Sequence, residues 1–130
     1  MCSLLKDHGG NVQIGNANAH EDGKLTPTVI LNPLKDSPLM KNEIFGPVLP
    51  IITYDSFDEV ILTIKENSNP LAIYFFGSVY SANRTRLENE TRSGALITNE
   101  TIFYLANPNL PFGGVGGSGM GRYHGYEGFK

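Results

Sequence analysis

Residues 71–76 read LAIYFF, an almost continuous apolar run, and residues 95–98 read ALIT. An apolar run of this length is typical of a strand that is covered on both faces. Between the two stretches lies a polar segment with helical character. A strand, a helix and a second strand joined by short links are typical of right-handed parallel crossovers. The two stretches therefore predict an α/β fold with parallel strand pairing.

Two helices are predicted around the first of these strands. Ser56 and Glu59 have the spacing of a capping box, and apolar residues then recur at helical intervals at Phe57, Val60, Ile61 and Ile64. Pro70 disfavours helical conformation at the residue before it, so this helix is expected to end near Asn67. The second helix is expected over residues 81–91, with Ser81 as its N-cap.

The first part of the chain predicts three short strands, over residues 12–15, 28–31 and 48–54. Pro50 cannot donate a ladder hydrogen bond, so the third strand is expected at a sheet edge or at a bulge. The residues next to Cys2 have the pattern of a helix interior. The last third of the chain is rich in glycine and breaks the alternation of strands and helices.

Composition excludes several classes of function. The chain has 130 residues, 10 basic and 13 acidic side chains, and one cysteine. An acidic balance does not suit binding to a phosphate backbone, so no nucleic-acid partner is expected. A single cysteine allows no internal disulfide, and no metal-ligand spacing is present. No apolar run reaches the ~20 residues of a membrane span, and no secretory signal is recognised, so a cytoplasmic protein is expected.

The segment Glu43-Ile44-Phe45-Gly46-Pro47-Val48 brings a carboxylate and an aromatic ring close together just before a strand. A carboxylate can accept hydrogen bonds from the two hydroxyl groups of a ribose, and an aromatic face can pack on a flat ring. The alternative is an exposed glutamate and a core phenylalanine at the entrance of a strand. The residues alone leave both interpretations open.

The glycine-rich tail contains Gly114, Gly116 and Gly119, which satisfy the spacing G-x-G-x-x-G. The dinucleotide-binding motif also needs a preceding strand, a following helix and a later acidic residue, and these are not found here. The glycines are instead expected in a loop that approaches other backbone closely or adopts positive φ, and such a loop more often lines a site than decorates a surface.

Neither the cysteine nor the histidines have the pattern of a catalytic group. Cys2 lies at the start of the chain, where a nucleophile is hard to hold in place, so an ordinary cysteine is expected. His8, His20 and His124 are far apart in the sequence and are expected on the surface. No catalytic residue is therefore assigned within the chain.

Several motifs together resemble the C-terminal part of the catalytic domain of the aldehyde dehydrogenase superfamily. They are EIFGPV at residues 43–48, NPLAIYFF at 69–76, and PFGGVG with SGMG at 111–121. The opening LLKDHGG at residues 4–10 and the ending GRYHG at 121–125 are similar to the class-three and fatty-aldehyde branch. The resemblance covers essentially all 130 residues.

The resemblance implies oxidation of an aldehyde to a carboxylic acid with NAD or NADP, through attack by a cysteine thiolate, hydride transfer and hydrolysis by an activated water. By match to E-x-F-G-P, Glu43 would bind the nicotinamide ribose and Phe45 would pack near the nicotinamide. By match to P-F-G-G, Phe112 would line the aldehyde tunnel, and Tyr104 would border the substrate. The complete enzyme would be a homo-oligomer.

The resemblance also implies what residues 1–130 lack. In the family the nucleophilic cysteine, the general-base glutamate and the Rossmann domain precede the part that this chain matches. The chain is therefore expected to be one partial catalytic domain that is inactive alone. The alternative is a non-catalytic interaction fragment that pairs an exposed sheet edge with a full-length homologue.

Overall fold

The computed structural model describes residues 3–16 and 23–129, so Cys2 and His20 lie outside the described residues. The chain forms two compact units, Met1–Tyr54 and Asp55–Lys130, and each unit contains one small sheet. Both units combine parallel strands with helices. The predicted α/β class is confirmed.

The unit Met1–Tyr54 holds a three-stranded mixed sheet. Its elements are β1 (Asn11–Ile14), β2 (Thr28–Leu31), α1 (Pro38–Lys41) and β3 (Val48–Ile51). β2 lies in the centre, antiparallel to β1 and parallel to β3. A core of Leu5, Ile30, Leu39 and Val48 covers one face of this sheet, and Leu25 and Ile44 pack against that core.

Pro50 lies in the edge strand β3, opposite Ile30 of β2. The carbonyl groups of Pro47 and Ile51 accept hydrogen bonds from β2 and its continuation. Because backbone groups alternate in direction along a strand, the nitrogen of Pro50 faces away from β2. Pro50 was expected at an edge or at a bulge, and the structure confirms the edge.

The unit Asp55–Lys130 contains α2 (Phe57–Glu66), β4 (Ala72–Phe75), α3 (Ala82–Glu90) and β5 (Ala95–Thr98). β4 and β5 are parallel, with Ala72 opposite Ala95 and Phe75 opposite Thr98. The Ser56 N–H donates to Glu59 Oε1 at 3.3 Å, and the Ser81 hydroxyl accepts from the Asn83 N–H at 3.2 Å. Both predicted helices, their N-caps and the parallel crossover are confirmed.

Three expectations are corrected. The run at residues 71–76 is not covered on both faces, because Tyr74 in its middle is 40% exposed. An apolar pattern predicts that a strand can be buried, but it does not identify the residues that would cover each face. Residues 3–7 form turns in place of a helix, and β3 ends at Ile51 in place of residue 54.

The last third of the chain consists of short 3₁₀ turns, Ile102–Ala106, Gly116–Ser118 and Gly125–Gly128, around the glycine-rich loop. The dinucleotide motif would require an α-helix after Gly119, and none follows it in the described residues. An isolated antiparallel bridge joins Phe112 to Tyr123 and closes the loop at its base. Every helix that the structure describes is too short or too polar to cross a bilayer.

Candidate functional site

Glu43 and Phe45 lie between α1 and β3, on either side of Ile44. The Ile44 side chain packs against the core of the unit Met1–Tyr54. Glu43 is exposed, and Phe45 is 86% exposed. Burial of the residue between them leaves the carboxylate and the ring outside the core. The alternative of a core phenylalanine is therefore wrong for Phe45, and Ile44 takes that place.

Backbone hydrogen bonds fix this segment to the sheet. The Thr28 N–H donates to Pro47 O at 2.9 Å, and the Val48 N–H donates to Gly46 O at 2.9 Å. The Thr28 hydroxyl is in turn bonded to Thr26 O at 2.7 Å, and Thr28 is buried. The turn that carries Glu43 and Phe45 is thus attached to the central strand β2.

The carboxylate and the aromatic ring of this segment fit a nucleoside. An exposed carboxylate can accept two hydroxyl hydrogen bonds, as a ribose diol offers, and an exposed ring offers a flat apolar face. Both groups are already exposed, and neither forms an ion pair with a described residue that would have to break for a ligand to bind. The residues present therefore fit the nicotinamide riboside part of NAD or NADP.

In the unit Asp55–Lys130, five rings form a continuous aromatic cluster. Tyr104 contacts Tyr74 with ring centroids 6.4 Å apart and Phe112 at 6.1 Å. Phe112 contacts Tyr123 at 5.5 Å and His124 at 6.3 Å, and the last two rings are 4.3 Å apart. The structure thus brings together Tyr104 and Phe112, the two residues that the sequence pointed to for substrate.

The backbone around Phe112 positions this cluster. The Phe112 N–H donates to Tyr123 O at 2.9 Å, and the Tyr123 N–H donates to Phe112 O at 2.8 Å. Next to it, Gly113 passes so close to Gly94 that a methyl group on Gly94 would overlap the Gly113 carbonyl oxygen. Glycine is required at residue 94 because the loop passes directly over the start of β5. The expected close approach of the glycine-rich loop to other backbone is confirmed.

Tyr104 has a perturbed hydroxyl group. Partial burial is the main cause that raises the pKa of Tyr104 above its usual value of 10.0, and the nearby Tyr74 hydroxyl group raises it further. The phenol of Tyr104 therefore stays neutral over the physiological pH range. In that form it can donate one hydrogen bond to an oxygen atom and does not act as a base.

Three members of the cluster were missed by sequence reasoning. Tyr74 belongs to the apolar strand and gave no separate signal, and Tyr123 lies in the GRYHG ending, which pointed to the family and not to a site. His124 was expected on the surface, but it is half-buried, and its Nδ1 has no hydrogen-bond partner among the described residues. Its backbone φ of 81° is uncommon for a residue with a side chain. The sequence pattern around His124 does not predict this φ value.

The α/β architecture, the E-x-F-G-P turn and the P-F-G-G loop define a part of one class of enzyme domain. The sequence model of the aldehyde dehydrogenase family matches the chain over residues 1–130, and the chain belongs to that family. The 4,4'-diaponeurosporen-aldehyde dehydrogenase of Staphylococcus aureus is 43% identical over 129 residues, which are 99% of this chain and 28% of that protein. The aldehyde dehydrogenase family 3 protein comG of Dictyostelium discoideum is 47% identical over 116 residues, or 89% of this chain and 24% of that protein.

Solved structures agree with this assignment. The substrate-bound state of Staphylococcus aureus AldH superposes with a TM-score of 0.84 at 44% identity, over 98% of this chain and 28% of that chain. The NAD-dependent aldehyde dehydrogenase from Sinorhizobium meliloti superposes with a TM-score of 0.83 at 27% identity, over 98% and 26% of the two chains. The chain thus spans about a quarter of the length of the proteins that it matches.

Proposed function

We propose that this chain supplies the nicotinamide-contacting and substrate-contacting part of an aldehyde dehydrogenase that uses NAD or NADP. Glu43 binds the ribose hydroxyls of the nicotinamide nucleoside, and Phe45 packs near the nicotinamide ring. When bound, the cofactor accepts the hydride that leaves the aldehyde carbon. The observation that carries this proposal is the exposure of Glu43 and Phe45 on either side of the anchored Ile44.

Phe112 and Tyr104 border the aldehyde in this proposal. Both rings belong to the aromatic cluster, which offers flat apolar faces and the neutral hydroxyl of Tyr104. Aromatic faces attract other flat π-systems by offset or edge contacts worth roughly 0.5–1.5 kcal/mol each beyond apolar burial. The cluster therefore favours an aldehyde with a flat conjugated tail over a short polar one. The staphylococcal relative is named for an aldehyde of 4,4'-diaponeurosporene.

Residues 1–130 alone are expected not to oxidise aldehydes, because the nucleophile and the general base of the family have no counterpart here. A direct assay of NAD reduction by the purified chain with an aromatic aldehyde tests this point. We expect no rate above the uncatalysed background. A measurable rate that is lost in Cys2→Ala would contradict the expectation.

Nucleotide binding can be tested without activity. NAD is titrated into the isotopically labelled chain, and NMR shifts are followed at residues 43–48. We expect weak, saturable shifts in this segment that Glu43→Gln reduces at least threefold in affinity. Glu66→Gln is the matched control, because Glu66 is an exposed carboxylate in the other unit. Equal affinities of the two variants would contradict the assignment of Glu43.

A second candidate function is a non-catalytic interaction with a full-length homologue. The specific observation in its favour is the two-stranded sheet of the unit Asp55–Lys130, in which neither strand has a second neighbour among the described residues. Such edges carry unpaired backbone donors and acceptors that can pair with another chain. Co-expression of the chain with a full-length homologue, followed by affinity purification, tests this candidate. Recovery of the chain alone would count against it.

A further inference from the structure

The glycine-rich loop, residues 113–121, begins next to Phe112 and ends close to Tyr123. The backbone bridge between these two residues holds the ends of the loop side by side. Six of the nine residues in the loop are glycines. Glycine has more conformational freedom than any other residue, so a loop of this composition keeps one shape only where specific contacts hold it. Those contacts therefore decide where the backbone places the Phe112 ring.

The Ser118 hydroxyl group closes the tip of this loop. The Val115 N–H donates to Ser118 Oγ at 2.9 Å, and the same hydroxyl group donates to Val115 O at 3.0 Å. The Ser118 N–H also donates to Val115 O, at 3.3 Å. One side chain therefore satisfies both backbone polar groups of Val115, which is half-buried. Only Gly113 and Gly114 separate this closed turn from Phe112.

The tip of the loop rests on the turn that joins α2 to β4. A methyl group on Gly116 would lie 2.8 Å from Asn69 Nδ2, and one on Gly117 would lie 3.1 Å from Ser68 Cβ. β4 follows this turn, and its Tyr74 belongs to the aromatic cluster. Both the base and the tip of the loop are thus attached to segments that carry rings of the cluster. This arrangement is typical of a preformed wall and not of a lid that closes over a ligand.

The hydrogen bonds of Ser118 do not suit a direct chemical role. Its hydroxyl proton is donated to Val115 O, and its oxygen accepts from the Val115 N–H. A serine nucleophile needs an adjacent general base, and a backbone carbonyl group does not act as one. The role of Ser118 therefore follows from the backbone that it holds in place.

We infer that Ser118 is a positioning residue for the aldehyde site. Its hydroxyl group holds the glycine-rich loop in the shape that keeps Phe112 beside Tyr104, with ring centroids 6.1 Å apart. A ligand then meets a wall that is already in place, and the loop loses little conformational entropy when the ligand binds. This inference rests on the proposed function, in which Phe112 borders the aldehyde.

The test uses the full, isotopically labelled chain with cinnamamide as the probe. Cinnamamide has the flat conjugated tail of an aromatic aldehyde, and its amide group does not react with lysine side chains. NMR shifts at Phe112 and Tyr123 give the affinity, and relaxation gives the order parameters of the loop amides. In the unaltered chain we expect loop order parameters of about 0.85. Ser118→Ala should lower them below about 0.6 and weaken cinnamamide binding about fivefold, as the loss of one net hydrogen bond does.

Two variants and one direct measurement make the result specific. Ser118→Thr keeps the hydroxyl group and should retain the affinity and the order parameters of the unaltered chain. Ser78→Ala is the matched control and should change neither, because Ser78 Oγ accepts from the Tyr80 N–H at 3.2 Å in an exposed turn of the same unit. Without any variant, the Val115 amide should exchange with solvent more slowly than the amide of the exposed Gly117.

The outcomes distinguish this inference from the proposed function. If the unaltered chain does not bind cinnamamide with shifts at Phe112, the substrate role of Phe112 is overturned, and the inference with it. Cinnamamide binding that Ser118→Ala leaves unchanged, or that Ser78→Ala weakens equally, would overturn the inference alone. Binding by Ser118→Thr as weak as that by Ser118→Ala, or equal exchange rates at Val115 and Gly117, would also overturn it.

Discussion

The side chain of Asn99 hydrogen bonds to both backbone polar groups of Gly77. The Gly77 N–H donates to Asn99 Oδ1 at 2.8 Å, and Asn99 Nδ2 donates to Gly77 O at 2.9 Å. Asn99 itself has a φ of 57°, a left-handed value that asparagine tolerates better than most residues. This pair ties the chain that leaves β4 to the chain that leaves β5.

Replacement of this asparagine should weaken the sheet. Asn99→Asp keeps the acceptor but loses the donor and places a charge against the Gly77 carbonyl. We expect a loss of about 1–2 kcal/mol in the free energy of unfolding, as measured by urea denaturation. Asn89→Ala, on the exposed side of α3, is the control and should change stability by less than about 0.5 kcal/mol. A neutral Asn99→Asp would show that the two bonds do not contribute to stability.

Gly94→Ala should displace the loop that carries Phe112. The added methyl would overlap the Gly113 carbonyl oxygen and approach Leu71 O, and both are backbone atoms that cannot rotate away. The expected cost is about 1–3 kcal/mol, typical of overpacking, with NMR shift changes at Phe112 and Tyr123. Gly128→Ala is the matched control, since its nearest neighbours would lie at 3.5 Å or beyond. A larger loss in the control than in Gly94→Ala would contradict this account.

Tyr104 should make stability depend on pH above the usual tyrosine range. Its pKa is raised in the folded state, so between about pH 10 and the folded pKa the native state holds a proton that the unfolded state has released. The contribution of Tyr104 to the free energy of unfolding is therefore fully present below about pH 10 and decreases as the pH rises above that value. Urea denaturation from pH 9 to 11 should show a shallower decline in Tyr104→Phe. An identical decline in the variant would exclude Tyr104 as the cause.

Arg86 connects α3 to α2 through carboxylates on both sides. It contacts Asp58 at 2.7 Å and Glu90 at 2.6 Å, and its hydrogen bond lowers the pKa of Glu90. A carboxyl group whose pKa is lower in the folded state stabilises the protein at pH values above the pKa that it has in the unfolded state. This stabilisation is lost as the pH falls. Unfolding midpoints from pH 6 to 3 should therefore decline less steeply in Glu90→Gln. Lys41→Gln, at a separate exposed ion pair, should leave the profile unchanged.

The local elements of the fold and the parallel pairing of β4 with β5 could be predicted from the sequence, whereas the pairing of β1 with β2 could not. The capping residues Ser56 and Ser81 mark their helices because the physics of a helix N-terminus is local. The antiparallel pairing of β1 with β2 depends on contacts between distant residues, which periodicity does not encode. Exposure of Tyr74 could not be predicted for the same reason, because an apolar run does not identify its neighbours.

Site residues divide in a similar way. Glu43, Phe45, Tyr104 and Phe112 are proposed site residues because the motifs around them resemble those of a known family. Tyr123 and His124 joined the aromatic cluster only in the structure, through the backbone bridge between Phe112 and Tyr123. Arg84 and Arg122 bind to opposite ends of β5, at Thr98 and at the Gly94 carbonyl group, and no sequence signal predicts this because the two arginines are far apart in the chain.

Pro50 has a consequence for how this polypeptide avoids unwanted association. The outer edge of β3 has the proline nitrogen in place of an N–H donor near its midpoint. A strand of a neighbouring molecule therefore cannot form an uninterrupted ladder of hydrogen bonds along this edge. The outer margin of β5 has no such interruption. Sheet extension by a further strand is therefore discouraged at the outer edge of β3, the one edge strand in the described residues that contains a proline.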